Sequence, residues 1–371
     1  MLFRFALLAA ALIAAIWVGY PLVIRLLAAV RRVRHKHGTA QFAMPTVSVV
    51  LATREAPEAV LRRVNDLLDT TYPRELLEVV VAIDRAQFDV YARGPALFGD
   101  RVYVVPAETD GKPGALNAGV RAATGDVLVF ADTFQSFDRD TIPVLVEALA
   151  DPSLGAVSGR LSLPPGRSLV RLYWSLERRL REWEARVHSA VGVTGACWAM
   201  RRSLWLPLPD GLLLDDVYTA MRLVLDGHRV GFAPGARATE TRPTEPHLEY
   251  RRKVRTLTGV LQLCAWLPAV LVPGRNPILA QFVFHKLARL ATPYLLLPIA
   301  VWITAMAATM PEPFDVVGAG LFLVLLIWIL LTHRPTGIRI RRLLTEAVLI
   351  QVAALMAGLN AVRGRWQVWG G

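Results

Sequence analysis

The chain has 371 residues, a formal net charge of +12 and 54% hydrophobic residues, enough for one large domain with additional helices and more apolar than a soluble domain usually is. Its two cysteines, Cys197 and Cys264, are far apart and without metal-ligand spacing, which argues against a disulfide framework or a zinc site and fits a reducing compartment. The charge alone would admit nucleic-acid binding, but many arginines flank apolar runs, where anionic lipid attracts them, and no basic–aromatic interleaving marks a strand-tracking groove.

Phe5 to Ile24 is a run of 20 residues without a charge, long enough at about 1.5 Å per residue to cross the hydrocarbon of a bilayer. A cleaved signal peptide is the alternative. The length of the run and the basic Arg31-Arg32-Val33-Arg34-His35-Lys36 behind it favour an anchor whose following chain is cytoplasmic.

From about Pro45 the pattern changes to alternating strands and helices. Val47 to Ala52 is a β-rich run ending at Thr53-Arg54, and apolar residues at three- and four-residue spacing predict a helix over Pro57 to Leu68. Val79 to Ile83, Val102 to Val105 and Val127 to Phe130 predict three more strands, with a helix over Ala115 to Ala122 between the last two. Strands that are continuously apolar and alternate with helices imply an α/β fold with a mostly parallel sheet and helices on both faces. Ligands of such sheets bind outside the carboxyl ends of the strands. The polar residues ending these strands are Thr53, Arg54, Glu55, Asp84 and Asp132. Three carboxylates there suit a cation and a charged ligand, although each taken alone is also an ordinary loop residue. No dinucleotide fingerprint, P-loop or nucleophile elbow occurs, so dehydrogenase, P-loop ATPase and that class of hydrolase lose their support.

Further on, Arg178 to Arg186 reads as a solvated or interfacial amphipathic helix, and Leu257 to Val272 as an amphipathic segment at the membrane surface. Three apolar runs end the chain, Leu290 to Met310, Val316 to Thr332 and Leu343 to Val362. The first two are joined by the acidic Pro311-Glu312-Pro313-Phe314-Asp315, and the basic stretch His333 to Arg342 follows. The positive-inside rule puts the acidic turn outside and the basic stretch in the cytoplasm, in agreement with the N-terminal run. A full crossing by the last run would strand Arg363 and Arg365 outside; the alternative lays it along the interface with Trp366 and Trp369 at headgroup level. The boundaries expected are an anchor at 1–30, a cytoplasmic catalytic domain at 31–256, interfacial helices at 257–289 and membrane segments at 290–371.

The order of these segments resembles the membrane-bound branch of the family-2 glycosyltransferases, which are inverting enzymes with a GT-A catalytic domain. Val47-Ser48-Val49-Val50-Leu51-Ala52-Thr53-Arg54-Glu55 looks like their opening strand and nucleotide-facing turn, and Asp84 matches the aspartate that meets the base. Asp110-Gly111-Lys112-Pro113-Gly114-Ala115-Leu116-Asn117-Ala118-Gly119 is close to the family's Gly-Lys-x-x-Ala-Leu-Asn-x-Gly segment. Thr124 to Asp132 resembles the strand leading into the metal-binding Asp-x-Asp. Gly195 to Arg202 is similar to the acceptor-side segment, Leu214-Asp215-Asp216 stands where the family has Glu-Asp, and Arg255 is what remains of Gln-x-x-Arg-Trp. The resemblance therefore implies Asp216 as catalytic base, with Thr53, Glu55, Asp84, Lys112, Asp132 and Arg255 on the donor. It places Asp215 and Trp198 on the acceptor side, with the Trp198 ring stacking on an acceptor or else packing in the core. Mg²⁺ or Mn²⁺ on Asp132 is the implied cofactor. Phe134 replaces the second aspartate, which leaves Gln135 as the neighbour able to offer an oxygen.

The activity implied is transfer of a sugar from a nucleotide diphosphate donor, UDP-linked, to a membrane-proximal or lipid-linked glycan. A processive synthase of extracellular polysaccharide and an inactive membrane scaffold are the alternatives. The implied partners are donor, acceptor, membrane lipid and an exporter or assembly complex, without nucleic acid, on the cytoplasmic side of a bacterial inner membrane.

Overall fold

The computed structural model describes residues 1–31, 44–88, 91, 99–163, 169–242, 246–307 and 335–367. An apolar helix, α1 (Leu2–Val30), precedes the sheet. β1 (Val47–Thr53), α2 (Pro57–Leu68), β2 (Leu77–Ile83), β3 (Val102–Pro106), α3 (Gly111–Ala122) and β4 (Val127–Ala131) follow, close to the expected bounds. β2 and β4 are buried at every position and β1 at all but one, because helices cover both faces of the sheet. That is why they read as continuous apolar runs. α3 lies so close to β1 that a Cβ on Gly119 would come within 2.7 Å of Val50 Cγ1.

Beyond β4 the chain completes one eight-stranded sheet in the order β3-β2-β1-β4-β7-β6-β8-β5. The added elements are β5 (Gln135–Phe137), α4 (Thr141–Ala148), β6 (Leu154–Ser162), α5 (Leu169–Val187), β7 (Cys197–Arg201), α6 (Asp215–Leu225) and β8 (Arg229–Glu240). β1 to β4 pair in parallel, as do β6 and β8, whereas β7 runs antiparallel to β4 and β6 and β5 antiparallel to β8. At the amino-terminal end of the parallel half, the Glu78 carboxylate accepts Thr124 N–H at 2.7 Å and the Thr124 hydroxyl at 2.9 Å, while Ser48 Oγ accepts Gly125 N–H at 2.8 Å. This partly buried polar staple closes one end of the sheet. The other end stays open for chemistry.

Three further helices follow, α7 (Pro246–Trp266), α8 (Leu279–Met306) and α9 (Pro335–Val362). Leu2–Val30, Leu279–Met306 and Thr345–Val362 are each long and apolar enough to cross a membrane. α1 and α8 pack antiparallel: Phe3 meets Trp302 with ring centroids 5.6 Å apart, Trp17 Nε1 donates to Thr292 Oγ1 at 3.1 Å, and Tyr20 stacks on Phe284 at 5.9 Å. The ends that connect to the α/β domain, Val30 and Leu279, therefore lie at the same end of this pair. α7 runs unbroken through the expected boundary at 256/257, since Arg255 and Leu257 share one helix, and α8 begins before residue 290. The acidic turn at Pro311–Asp315, the run Val316–Thr332, residues 32–36 and Trp369 lie outside the described residues.

α5 corrects the expectation of a solvated or interfacial helix. Arg179 and Arg186 face outward, but Glu177 and Glu184 are 3% and 0% exposed. His285 of α8 bridges them, with Nδ1 2.7 Å from Glu184 Oε1 and Nε2 2.9 Å from Glu177 Oε2. Lys286 Nζ donates to Glu177 at 3.0 Å, Arg289 pairs with the same carboxylate, and the Tyr20 hydroxyl of α1 donates to Glu184. Buried charge persists only where it is paired. Here the partners come from α1 and α8, about 100 or more residues away in sequence, which local periodicity does not register.

Candidate active site

The carboxyl ends of β2, β1 and β4 lie side by side and bring Asp84, Thr53 and Asp132 to one edge of the sheet. Asp84 N–H donates to the Thr53 carbonyl at 3.1 Å. Thr53 Oγ1 accepts Glu55 N–H at 3.1 Å and the Thr133 hydroxyl at 2.8 Å, which ties the turn after β1 to the turn after β4. The Tyr91 hydroxyl donates to the Glu55 carbonyl.

Lys112 stands in the first turn of α3, where the positive helix end disfavours a cation. Two carboxylates hold it there. Its Nζ is 3.0 Å from Asp132 Oδ1 and 3.5 Å from Asp215 Oδ2. Burial works against the ammonium charge, but Asp132 and Asp215 outweigh it and hold the pKa above its ordinary value. One lysine thus joins the strand-end carboxylate of β4 to the first turn of α6.

Asp215 and Asp216 open α6, where carboxylates complement the helix dipole. Asp216 Oδ1 accepts the Val217 N–H at 2.9 Å, so it also serves as a helix-terminus acceptor. The segment before them is gripped by α7: Gln262 accepts Leu213 N–H at 2.9 Å and donates to the Gly211 carbonyl at 3.0 Å. Gly259 lies so near that a Cβ there would meet Leu214 Cγ at 2.5 Å. On the opposite side, a Cβ on Gly195 would be 3.5 Å from Asp216 Oδ2. Burial, then Asp215, raise the proton affinity of Asp216, while Lys112 and Arg181 pull it back. Arg255, one turn before Gly259 on α7, is half-buried; desolvation lowers its pKa, and Asp215, Asp216 and Asp132 act in the opposite sense. Asp132, Lys112, Asp215, Asp216 and Arg255 therefore form one electrostatic cluster.

Among the described residues no group of three or more His, Cys, Asp or Glu side chains could hold a metal ion unaided. Asp132 offers one hard oxygen ligand at the mouth of the site, with 35% of its side chain exposed. Phe134 is turned against Arg242, whose guanidinium lies 3.9 Å from the ring centroid. Gln135 is 6% exposed and donates to Glu240 Oε2 at 2.8 Å within the β5–β8 pair, so it is not the accessible ligand expected. The donor set fits a divalent cation only in company with phosphate oxygens and water.

Trp198 is a second correction. It is 1% exposed on β7 and stacks on Phe130 at 4.1 Å; neither ring face is open to an acceptor. Arg63 went unnoticed in the sequence. Although 2% exposed, it pairs with Asp66, lies 4.2 Å from the Phe137 ring and donates from Nε to the Asp132 carbonyl at 3.0 Å. Asp66 in turn accepts the Ser136 hydroxyl at 2.6 Å and Phe137 N–H at 3.1 Å, so this pair shapes the Asp132–Phe137 turn. The signal was available: Arg63 sits inside the apolar stripe formed by Val60, Val64 and Leu67, and a charge there needs a buried partner. Gln262 and Arg181 carried no such mark.

Residues 45–259 match the family model described as glycosyltransferase like family 2. A probable glycosyltransferase of Bacillus subtilis is 23% identical over 232 residues, covering 58% of this chain and 55% of that protein. An N-acetylglucosaminyltransferase of Bradyrhizobium diazoefficiens is 24% identical over 240 residues, covering 59% and 49%. The chain thus spans about half the length of these curated relatives. Among solved structures, a mannosyltransferase of Pyrobaculum calidifontis in complex with GDP-mannose and Mn²⁺ superposes with a TM-score of 0.70 at 23% identity, covering 97% of this chain and 99% of that one. With well over half of its residues inside the family match, and with the mixed α/β sheet just described, the chain belongs to glycosyltransferase family 2 and has a GT-A-type fold.

Proposed function

We propose that the chain is an inverting glycosyltransferase that moves a sugar from a nucleoside diphosphate donor, UDP-linked, to a membrane-proximal or lipid-linked glycan acceptor. One observation carries this reading. Lys112 bridges Asp132, at the end of a nucleotide-facing strand, to Asp215, the neighbour of the proposed base Asp216. On this reading the residues proposed for donor and acceptor chemistry meet at one lysine, whose Nζ is 3.0 Å from Asp132 and 3.5 Å from Asp215.

Asp84, Thr53 and Glu55 line the nucleotide end of the edge. The pyrophosphate would lie against Lys112, Arg255 and the amino terminus of α3, where backbone N–H groups and helix dipole favour an anion. A Mg²⁺ or Mn²⁺ ion held by Asp132 together with phosphate oxygens would neutralise charge on the leaving group. Asp216 takes the proton of the acceptor hydroxyl as the oxygen attacks the anomeric carbon. The bond to the departing diphosphate breaks on the opposite face, and the anomeric configuration inverts. The cations that face the diphosphate stabilise charge where it develops. The elevated proton affinity of Asp216 suits a general base working near neutral pH.

The α1–α8 pair and α9 embed the enzyme in a membrane, a bacterial inner membrane on this reading. The α/β domain faces the cytoplasm, close to lipid-borne acceptors. The reading is tested with detergent-purified protein by following nucleotide diphosphate release from uridine and guanosine nucleotide sugars with Mg²⁺ or Mn²⁺. Turnover of one donor that disappears in Asp216→Asn and Asp132→Ala is the expected result. Turnover unaffected by Asp216→Asn would remove Asp216 as base, and absence of both donor binding and turnover would favour a scaffold.

A further inference from the structure

We infer that Arg181 of α5 is a positioning residue for the base: it fixes the Thr194–Gly195 turn beside Asp216 and so sets the surroundings in which that carboxylate takes a proton. This rests on the reading of Asp216 as the base.

Arg181 belongs to a run whose composition suggests a solvated face, yet its Nη1 donates to Thr194 Oγ1 at 2.8 Å. Thr194 is secured on every side. Its hydroxyl is 2.9 Å from the Gly159 carbonyl, its N–H donates to Ser158 Oγ at 2.9 Å, and its carbonyl accepts Cys197 N–H at 2.8 Å. The next residue is Gly195, the backbone that faces the Asp216 carboxylate. Arg181 therefore braces the wall of the pocket in which Asp216 works.

The charge balance gives the same residue a second task. The ionisable groups bearing on Asp216 are Lys112 from α3, Arg181 from α5, Asp215 from α6 and Arg255 from α7. Burial and Asp215 favour the protonated acid, whereas Lys112 and Arg181 favour the carboxylate. Lys112 is already shared with Asp132 and Asp215, and together with Arg255 it is directed to the donor phosphates in the proposed mechanism. Once a diphosphate binds, Arg181 remains as a cation bearing on Asp216.

Its own placement is rigid. Glu177 and Glu184, four residues before and three after, share its side of the helix and are pinned to α8 and α1 by the buried ion network. Arg181 is thus held by the same helix face that docks the domain on its apolar helices.

The experiment is the pH profile of kcat/KM for nucleotide diphosphate release by full-length protein in detergent, for wild type, Arg181→Gln, Arg181→Lys and Asp216→Asn. The acid limb should move upward by about one pH unit in Arg181→Gln, as expected for loss of a nearby cation, and return towards wild type in Arg181→Lys. Asp216→Asn should abolish turnover and the limb with it; turnover that survives with its acid limb intact refutes the base assignment, independently of Arg181. Reduced activity in Arg181→Gln with an unmoved acid limb would overturn the inference and leave Arg181 a merely structural brace. Should Arg181→Gln not fold, Thr194→Val, which exchanges for a methyl the hydroxyl that receives the guanidinium and donates to the Gly159 carbonyl, loosens the same turn and should raise the limb in the same direction, and an unmoved limb there would overturn the inference equally.

Discussion

Replacing Lys112 by Met keeps much of the side-chain volume and removes the charge that joins the two halves of the site. In the resting enzyme the ammonium lies 3.0 Å from Asp132 Oδ1 and 3.5 Å from Asp215 Oδ2. At an effective dielectric constant of about 20, each contact is worth roughly 5 kcal/mol of gross Coulomb energy. About a third of the Lys112 and Asp132 side chains is exposed, and solvent screening with desolvation cancels most of that. What remains is the scale of a charge-assisted hydrogen bond, about 1.5–3 kcal/mol. In the proposed transition state the same ammonium would meet a departing diphosphate, where loss of one oriented donor costs about 3–4 kcal/mol. The activity loss should therefore exceed the stability loss: kcat/KM for nucleotide diphosphate release falls about 10²- to 10³-fold. Lys112→Arg should recover part of it. A Lys112→Met enzyme within threefold of wild type would refute the bridging role, because Asp132 and Asp215 would then face the diphosphate without their shared cation at no cost.

Three other outcomes follow from packing and charge. Glu177→Gln leaves His285, Lys286 and Arg289 around a neutral amide, and thermal unfolding in detergent should show a loss of about 3–5 kcal/mol; burial alone would raise the Glu177 pKa, but His285, Lys286 and Arg289 hold it well below the ordinary value, so its stabilisation is present above about pH 4.5 and is lost as pH falls below that range. Trp198→Phe, in the core against Phe130, should cost about 1–2 kcal/mol in unfolding midpoint and leave acceptor KM unchanged, whereas a raised acceptor KM would restore Trp198 to the acceptor side. Gln262→Leu, which strands Leu213 N–H and the Gly211 carbonyl, should cost about 1–3 kcal/mol of stability and lower kcat by shifting Asp215 and Asp216, measured by comparing unfolding with turnover.

The parallel half of the sheet was legible because both of its faces are covered, so β1, β2 and β4 announce themselves as apolar runs between helices. Asp84 and Asp132 were legible for the same reason: each is the first polar residue after its run, as Thr53 is after β1. β7 and β6 were less so. Antiparallel return strands such as Cys197–Arg201 pair with partners as far as Val127, the partner of Arg201, and a five-residue strand has no periodicity of its own. Trp198 shows how a motif position misleads, since the segment lies where an acceptor-side element is expected while the alternation of β7 turns this ring into the core. Glu177, Glu184, His285 and Gln262 were silent because each is polar for the sake of a partner that only the fold supplies.

Those silent residues also show why the apolar helices cannot be regarded as a detachable anchor. α5 carries Glu177 and Glu184 into the junction with α1 and α8, and Arg181 into the wall of the Asp216 pocket. α7 carries Arg255 and Gln262, and Thr258 of the same helix accepts a hydrogen bond from Asn360 of α9 at 3.3 Å. Each of the two helices thus serves the proposed catalytic carboxylates and the apolar helices from interleaved positions on the same stretch. The apolar helices are therefore coupled directly to the geometry of the proposed base, through helices of 19 and 21 residues. A displacement of α1 against α8 that broke the Tyr20–Glu184 contact would be transmitted to Arg181 within one turn of α5, with no intervening loop to absorb it.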